Sequence, residues 1–230
     1  MLFRSGDFSK IPAHKGSMHY FLLPFMEEDN LSKSQGSDSW YISQPVKKYI
    51  SPQDNAFASG TGQYDGRPVT TYPSNAFVFQ THGDGGGIGA YNGWTGGTSS
   101  GGGIVSVMPD GTSQTIVFGE HYANCVYYPG YVRPNGGTTP DGPGSSMLAF
   151  ESNMDWGHGW LNASIRFTTL PQFAPKGATC DETRMQGHST SGVLVSLGDG
   201  SCRVVSSGIS QNTWTAALLP NDGVVLGSDW

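Results

Sequence analysis

The residues of this chain best suited to chemistry are acids beside glycines and a scatter of histidines. Aspartate precedes glycine at Asp65, Asp84, Asp110, Asp141, Asp199 and Asp222. Loop carboxylates can contribute to the roughly six to eight oxygens that calcium takes. Asp-Gly also favours turns with no ligand present, because both residues tolerate unusual backbone angles. No D-x-D-x-D-G loop occurs. The histidines, His14, His19, His82, His121, His158 and His188, form no H-x-H, H-x-x-x-H or H-E-x-x-H pattern, so a zinc site has no local support. His188 precedes an apolar hairpin and reads as a loop-packing residue. No G-x-S-x-G elbow is present to present a nucleophile. Glu27 and Glu28, adjacent in the first turn of an expected helix, read as solvated acids. No catalytic residue and no organic cofactor is expected.

A second set is aromatic. Trp94, Trp156 and Trp160 stand in glycine-rich stretches together with Tyr91, Tyr127, Tyr128 and Tyr131. Exposed rings in such loops could stack on sugars and would form a ligand site in a carbohydrate-binding module. The ordinary reading, which is preferred, is that long loops pack on their own side chains. Gly85 to Ala90 form a loose G-x-G-x-x-A, but Gly93, Gly96, Gly97 and Gly101 to Gly103 leave no helix to follow it, so a dinucleotide site is not supported.

Composition narrows the partners. The chain has 230 residues, 36% apolar and 13% charged, with 34 glycines and 14 prolines. That is enough apolar material for a real core and implies many turns. With 12 basic against 18 acidic residues, a net charge of −6 and no basic run, nucleic acid is not an expected partner. The N-terminal stretch MLFRSGDFSKIPAH has no secretory-signal character, and no apolar run reaches the ~18 residues of a membrane span. Cys125, Cys180 and Cys202 have no C-x-x-C spacing. One bridge with a free thiol, in any of three pairings, or three reduced thiols are all open, and Cys202 is expected to be buried.

The elements that must position these residues are clearest at the C-terminal end. Gly192 to Leu197 and Cys202 to Val205 are apolar runs around Gly198-Asp199-Gly200-Ser201. With Asp199 and Gly200 at the centre of a two-residue turn, Val193, Val195, Leu197, Cys202 and Val204 share one face. Ser210 is an N-cap, Ile209 and Trp214 occupy the two positions of a hydrophobic staple, and Pro220 ends the helix. Trp214 should be buried on the hairpin, and Val224 to Leu226 should form a last strand. Upstream, a helix is expected from about Pro24 to Leu31, and extended structure or a short helix around Pro45. A strand should end the Thr70 to Gln80 stretch. A helical turn over Thr112 to Gln114, capped by Asp110 or Thr112, should precede a strand over Thr115 to Glu120 with Ile116 and Phe118 on one face. Ser164 to Thr169 could be a strand, and Pro171 to Met185 should be irregular.

These blocks, in this order, resemble the DUF1559 family of prepilin-like proteins common in planctomycetes. The resemblance is carried by Leu22 to Leu31 (LLPFMEEDNL), Val46 to Pro52 (VKKYISP) and Thr71 to Phe79. It continues through Asp110 to Thr115 (DGTSQT) with Gly119-Glu120, and from His188 through Asp199-Gly200-Ser201 to Trp214. The family's usual prepilin cleavage motif and long apolar helix have no counterpart here, and Ser51 stands where the related block usually has cysteine. The resemblance implies a pilin-like fold and display at the cell surface or outside the cell. It also implies self-association or contact with other pilin-like subunits. It implies no known reaction. Some pseudopilins of similar architecture carry a calcium loop. Within the matching blocks the calcium candidates are therefore Asp110, Glu120 and Asp199, although backbone hydrogen bonding in tight turns is the preferred role for all three.

The expectation is a single α+β domain over residues 1–230, with a pilin-like antiparallel sheet, short helices and long glycine-rich loops. Its expected role is a non-enzymatic cell-surface or extracellular structural protein, a pseudopilin-like subunit. The alternative is an extracellular binding module using Trp94, Trp156 and Trp160.

Overall fold

The C-terminal hairpin is the centre of the fold, but its turn is longer than the Asp-Gly signal suggests. In the computed structural model, which describes residues 19, 22–34, 44–54, 63–64, 67–79, 104–123, 164–165, 168–176, 179–180 and 184–230, the loop between the hairpin strands has three residues. Leu197 N–H donates to the Ser201 carbonyl at 2.8 Å, and Gly200 N–H to the Leu197 carbonyl at 2.9 Å. Gly200 has φ of +86°. This is a turn followed by a left-handed glycine, the usual three-residue hairpin. Tertiary contacts select it: Gly198 N–H donates to the Thr115 carbonyl and Asp199 N–H to the Thr112 carbonyl. The extra residue shifts the register by one. Val193 faces Val205 and Val195 faces Arg203, so Val205 is buried while Cys202 and Val204 are exposed. The expected burial of Cys202 is therefore corrected.

Nine strands occur among the described residues: β1 (Gln63–Tyr64), β2 (Arg67–Pro68), β3 (Ser74–Asn75), β4 (Ile116–Gly119), β5 (Ser164–Ile165), β6 (Gln172–Phe173), β7 (Gln186–Gly187), β8 (Gly192–Leu197) and β9 (Cys202–Ser206). The main sheet has the order β5-β3-β4-β8-β9. It is antiparallel except for the parallel pair β3–β5. Strands β1 and β2 form a small antiparallel pair. Strand β6, within the stretch expected to be irregular, pairs in parallel with β7 just beyond it. The fold is thus α+β, with one parallel pair in its main sheet.

One face of the sheet carries the main core. Phe77, Ile116, Met185, Val193, Val195, Leu197 and Val205 pack with Ile209, Trp214, Ala217 and Leu218. The last four belong to the helix Gln211–Leu218 and its lead-in. Ser210 caps this helix, its side chain accepting from Thr213 N–H. Ile209 and Trp214 meet in the core as the staple requires. Trp214 is 0% exposed, and its Nε1–H donates to the Thr169 carbonyl at 2.9 Å, which satisfies the one polar atom of a buried indole.

Three other expectations are corrected. The strand ending Thr70 to Gln80 stops at Asn75 and turns into the short helix Ala76–Phe79. The buried Asn75 explains the change. Its Oδ1 accepts from Phe77 N–H, while its Nδ2 donates to the Ile116 and Leu218 carbonyls at 2.7 and 2.8 Å. One amide thereby ties β3, β4 and the C-terminal helix together. In β4 a register shift lies between Ile116 and Phe118. Ile116 stays in the main core, and Phe118 packs with Val78, Met108 and Val117 in a second cluster. Val224 to Leu226 form no strand: Asp222 accepts from Val224 N–H in a local turn, and Val225 is 85% exposed.

The N-terminal described segments make a separate small cluster of Leu23, Leu31, Val46 and Tyr49. The expected helix is broken in two. A 3₁₀ turn spans Leu23–Met26 with Pro24 in its first turn. Glu27 then takes φ of +61°, and a helix follows over Asp29–Ser34. Pro45 is followed by a 3₁₀ turn over Lys47–Tyr49. No helix among the described residues is long and apolar enough to cross a membrane.

Candidate functional site

Among the described residues, a dense group of ionisable side chains gathers where β4 ends and β7 leads into β8. Glu120 follows β4 and exchanges two hydrogen bonds with Leu194. Its N–H donates to the Leu194 carbonyl at 3.0 Å, and its Oε2 accepts from Leu194 N–H at 2.9 Å. The carboxylate thus continues the β4–β8 ladder where the backbone no longer can. Asp54 arrives from the loop after Tyr49, and its Oδ2 accepts from Ala123 N–H at 2.7 Å. His188 lies between them. Its Nδ1 is 3.3 Å from Glu120 Oε1 and its Nε2 is 3.7 Å from Asp54 Oδ2. The imidazole side chain is 1% exposed, and Tyr122 packs against it edge-on at 4.6 Å. Gln186, fully buried, accepts from Tyr122 N–H and so fixes that ring's backbone.

The electrostatics follow from this packing. Burial alone drives His188 toward the neutral form. The two carboxylates outweigh it, and its pKa is raised to about 9. Burial likewise works against the Glu120 charge, but His188 and the Leu194 amide hold its pKa below the ordinary value. Tyr122 is raised, by burial first and then by the charges of Asp54 and Glu120. At neutral pH the cluster is an imidazolium between two carboxylates. Among the described residues neither ring nitrogen of His188 has a partner at hydrogen-bond geometry, so the ring is held by charge. A protonated imidazole flanked in this way has no free lone pair for a substrate proton or a metal. What it can do is join three segments of chain.

A second buried histidine behaves in the opposite manner. His19 is 1% exposed. Its Nε2–H donates to the Tyr72 carbonyl at 2.7 Å, and its ring stands edge-on to Tyr49 and Phe118. Burial dominates here, and its pKa falls to about 4 in spite of the Tyr72 carbonyl.

The calcium candidates are placed apart in role. Asp199 Oδ1 accepts from Ser201 N–H and Oγ–H in the hairpin loop. Asp110 does not cap the turn that follows it; both its carboxylate oxygens face Gly223 N–H, at 3.2 and 3.1 Å. Glu120 belongs to the histidine cluster. Among the described residues no three His, Cys, Asp or Glu side chains are arranged to hold a metal ion. Trp94, Trp156 and Trp160 lie outside the described residues. Cys180 is disulfide-bonded and buried, and Cys202 is a free, exposed thiol, which excludes the pairings that involve Cys202.

Of the cluster, the sequence singled out Glu120 and His188 separately but not Asp54. The available signal was that all three lie in or beside the blocks His188–Trp214, Gly119-Glu120 and Val46–Pro52. Nothing in their spacing joins them.

Helix on sheet, with the sheet closed by a buried charge cluster, defines a protein of mixed α+β class. The chain belongs to the family described as a protein of unknown function (DUF1559), which it matches over residues 4–212. No curated protein and no solved structure matches it.

Proposed function

We propose that this protein is a non-enzymatic structural subunit of pseudopilin type, displayed at the cell surface or outside the cell. The observation that carries the reading is the Asp54–His188–Glu120 cluster. This set of acid–base groups, concentrated among the described residues, is buried, and both carboxylates already accept backbone amides. Groups committed in this way stabilise a fold rather than turn over a substrate. The disulfide at Cys180 supports the location, because such bonds persist in oxidising compartments. Membership of the DUF1559 family supports the pilin-like architecture. Its partners would be further copies or other pilin-like subunits.

The test uses the native organism. An antibody should label intact, unpermeabilised cells, and negative-stain imaging of the sheared surface fraction should show the protein in assemblies. A reduced, monomeric protein confined to the cytosol would overturn the reading. A glycan array on the purified chain tests the carbohydrate-binding alternative, with Trp94, Trp156 and Trp160 as the residues to mutate if it scores.

A further inference from the structure

The N-terminal cluster meets the sheet along a seam with three buried histidines: His188 and His19, whose protonation states are opposite, and His121, whose backbone N–H donates to the Thr71 carbonyl and whose Nδ1 lies 2.6 Å from the Tyr122 carbonyl. At one point His188, beyond β7, is charged and faces Asp54 of the N-terminal segments. At the other, His19 is neutral and reaches across to the Tyr72 carbonyl and to Phe118 of β4. Elsewhere along the seam Thr71 N–H donates to the Tyr49 carbonyl, the Thr70 hydroxyl donates to the same oxygen, and Ser51 N–H donates to Thr71 Oγ1.

The two histidines differ in what their surroundings could accept. Around His188 stand Asp54, Glu120 and Tyr122, and a proton on the ring is compensated. Around His19 stand Tyr49, Tyr72 and Phe118. The hydroxyl of Tyr49 donates to the His19 carbonyl at 2.8 Å, and the nearest charge acting on that tyrosine is Glu28. The Tyr72 carbonyl takes the Nε2 proton. Nδ1 is buried with no acceptor among the described residues. A second proton would leave a cation against two aromatic edges with no counter-charge among the described residues, and a buried unpaired charge is among the most costly groups in a folded protein.

We propose that this seam is an acid-operated joint: it stays closed while His19 is neutral, and it opens to release the N-terminal cluster from the sheet when the His19 ring takes up its second proton. Acid leaves His188 charged, so its contact with Asp54 persists and tethers residue 54 while the contacts around His19 open. The sheet and its covering helix remain folded, since the Trp214 core contains no histidine.

The magnitude follows from linkage. Once released, His19 titrates at its ordinary 6.5, against about 4 when docked. Docking therefore weakens by up to about tenfold for each pH unit below 6.5, reaching about 80-fold by pH 4.5. Hydrogen exchange of the full chain, corrected for the intrinsic pH dependence of exchange, reads this directly. Peptides covering residues 22–34 and 44–50 should lose about 40-fold protection between pH 6.5 and 4.5, while those covering 192–218 keep theirs. His19→Gln retains a donor for the Tyr72 carbonyl and cannot be charged, so its N-terminal protection should not change over that range. NMR titration of the His19 ring in the wild-type chain is independent of the variant's folding and should show a midpoint near 4. The joint is refuted if His19 titrates near 6.5, if both regions lose protection together, or if His19→Gln opens at the same pH as the wild type.

Discussion

Replacing His188 with glutamine removes the one cation of the Asp54–His188–Glu120 cluster while keeping a polar side chain of similar reach. The expected effect can be worked from the wild-type ring. Its pKa is about 9 in the folded protein against an ordinary 6.5, a gap that corresponds to about 3 kcal/mol of preferential stabilisation of the folded state. The contacts of 3.3 and 3.7 Å are longer than close hydrogen bonds, so the attraction is weaker and the expected contribution is about 2 kcal/mol. The folded pKa is raised. The stabilisation is therefore complete below pH 6.5 and is lost as the pH rises through 9. Urea unfolding at pH 6 and pH 9.5 should show the wild type losing about 2 kcal/mol between the two. At pH 6 His188→Gln should be less stable than wild type by about 3 kcal/mol, because two buried carboxylates lose their counter-charge. Between the two pH values its stability should lack the wild-type decline, since the titrating group is gone. Glu120→Gln should move the wild-type decline to lower pH by removing one of the two charges that hold the proton. Parallel curves for wild type and His188→Gln between pH 6.5 and 9.5 would show that His188 is not the proton-bearing centre of the cluster.

Trp214→Ala empties the middle of the helix–sheet contact and strands the Thr169 carbonyl. A loss of about 3–5 kcal/mol is expected, a large part of a typical domain stability of about 5–15 kcal/mol; insoluble expression or a collapsed melting transition would show it, and a near-wild-type melt would refute the core described above. Gly200→Ala should cost about 1 kcal/mol by thermal melt, purely through its left-handed backbone, since nothing lies within 4 Å of the added methyl. Ser210→Ala should cost about 0.5–2 kcal/mol through loss of the helix cap, measured by the same melt. Cys202 should react with a maleimide in the native protein and Cys202→Ser should abolish that labelling, whereas a thiol that reacts only after unfolding would return Cys202 to the buried face first expected of it.

Local pattern determined much of the C-terminal half. Ser210, Ile209, Trp214 and Pro220 specify a capped, stapled and terminated helix through interactions within a few residues of one another, so the sequence carries them in full. The same holds for the strand over Ile116–Gly119 and for the existence of the hairpin. The order of the family blocks was also enough to place the chain in its family. What the sequence could not decide were choices between local options of nearly equal cost. An Asp-Gly pair suits a two-residue or a three-residue hairpin loop. The Thr112 and Thr115 carbonyls, far away in sequence, chose the longer one, which exposed Cys202 and buried Val205. TTYPSNAFVF suits a strand, but Asn75, with its carbonyl capping the next turn and its amide bridging Ile116 and Leu218, stops the strand and starts a helix. The charge cluster lay furthest from local reading. Asp54, Glu120 and His188 are separated by long stretches of chain, and a histidine's proton depends on what surrounds it. Tertiary structure alone put two carboxylates around His188 and, among the described residues, none against His19, so that one residue type is charged at one end of the seam and neutral at the other.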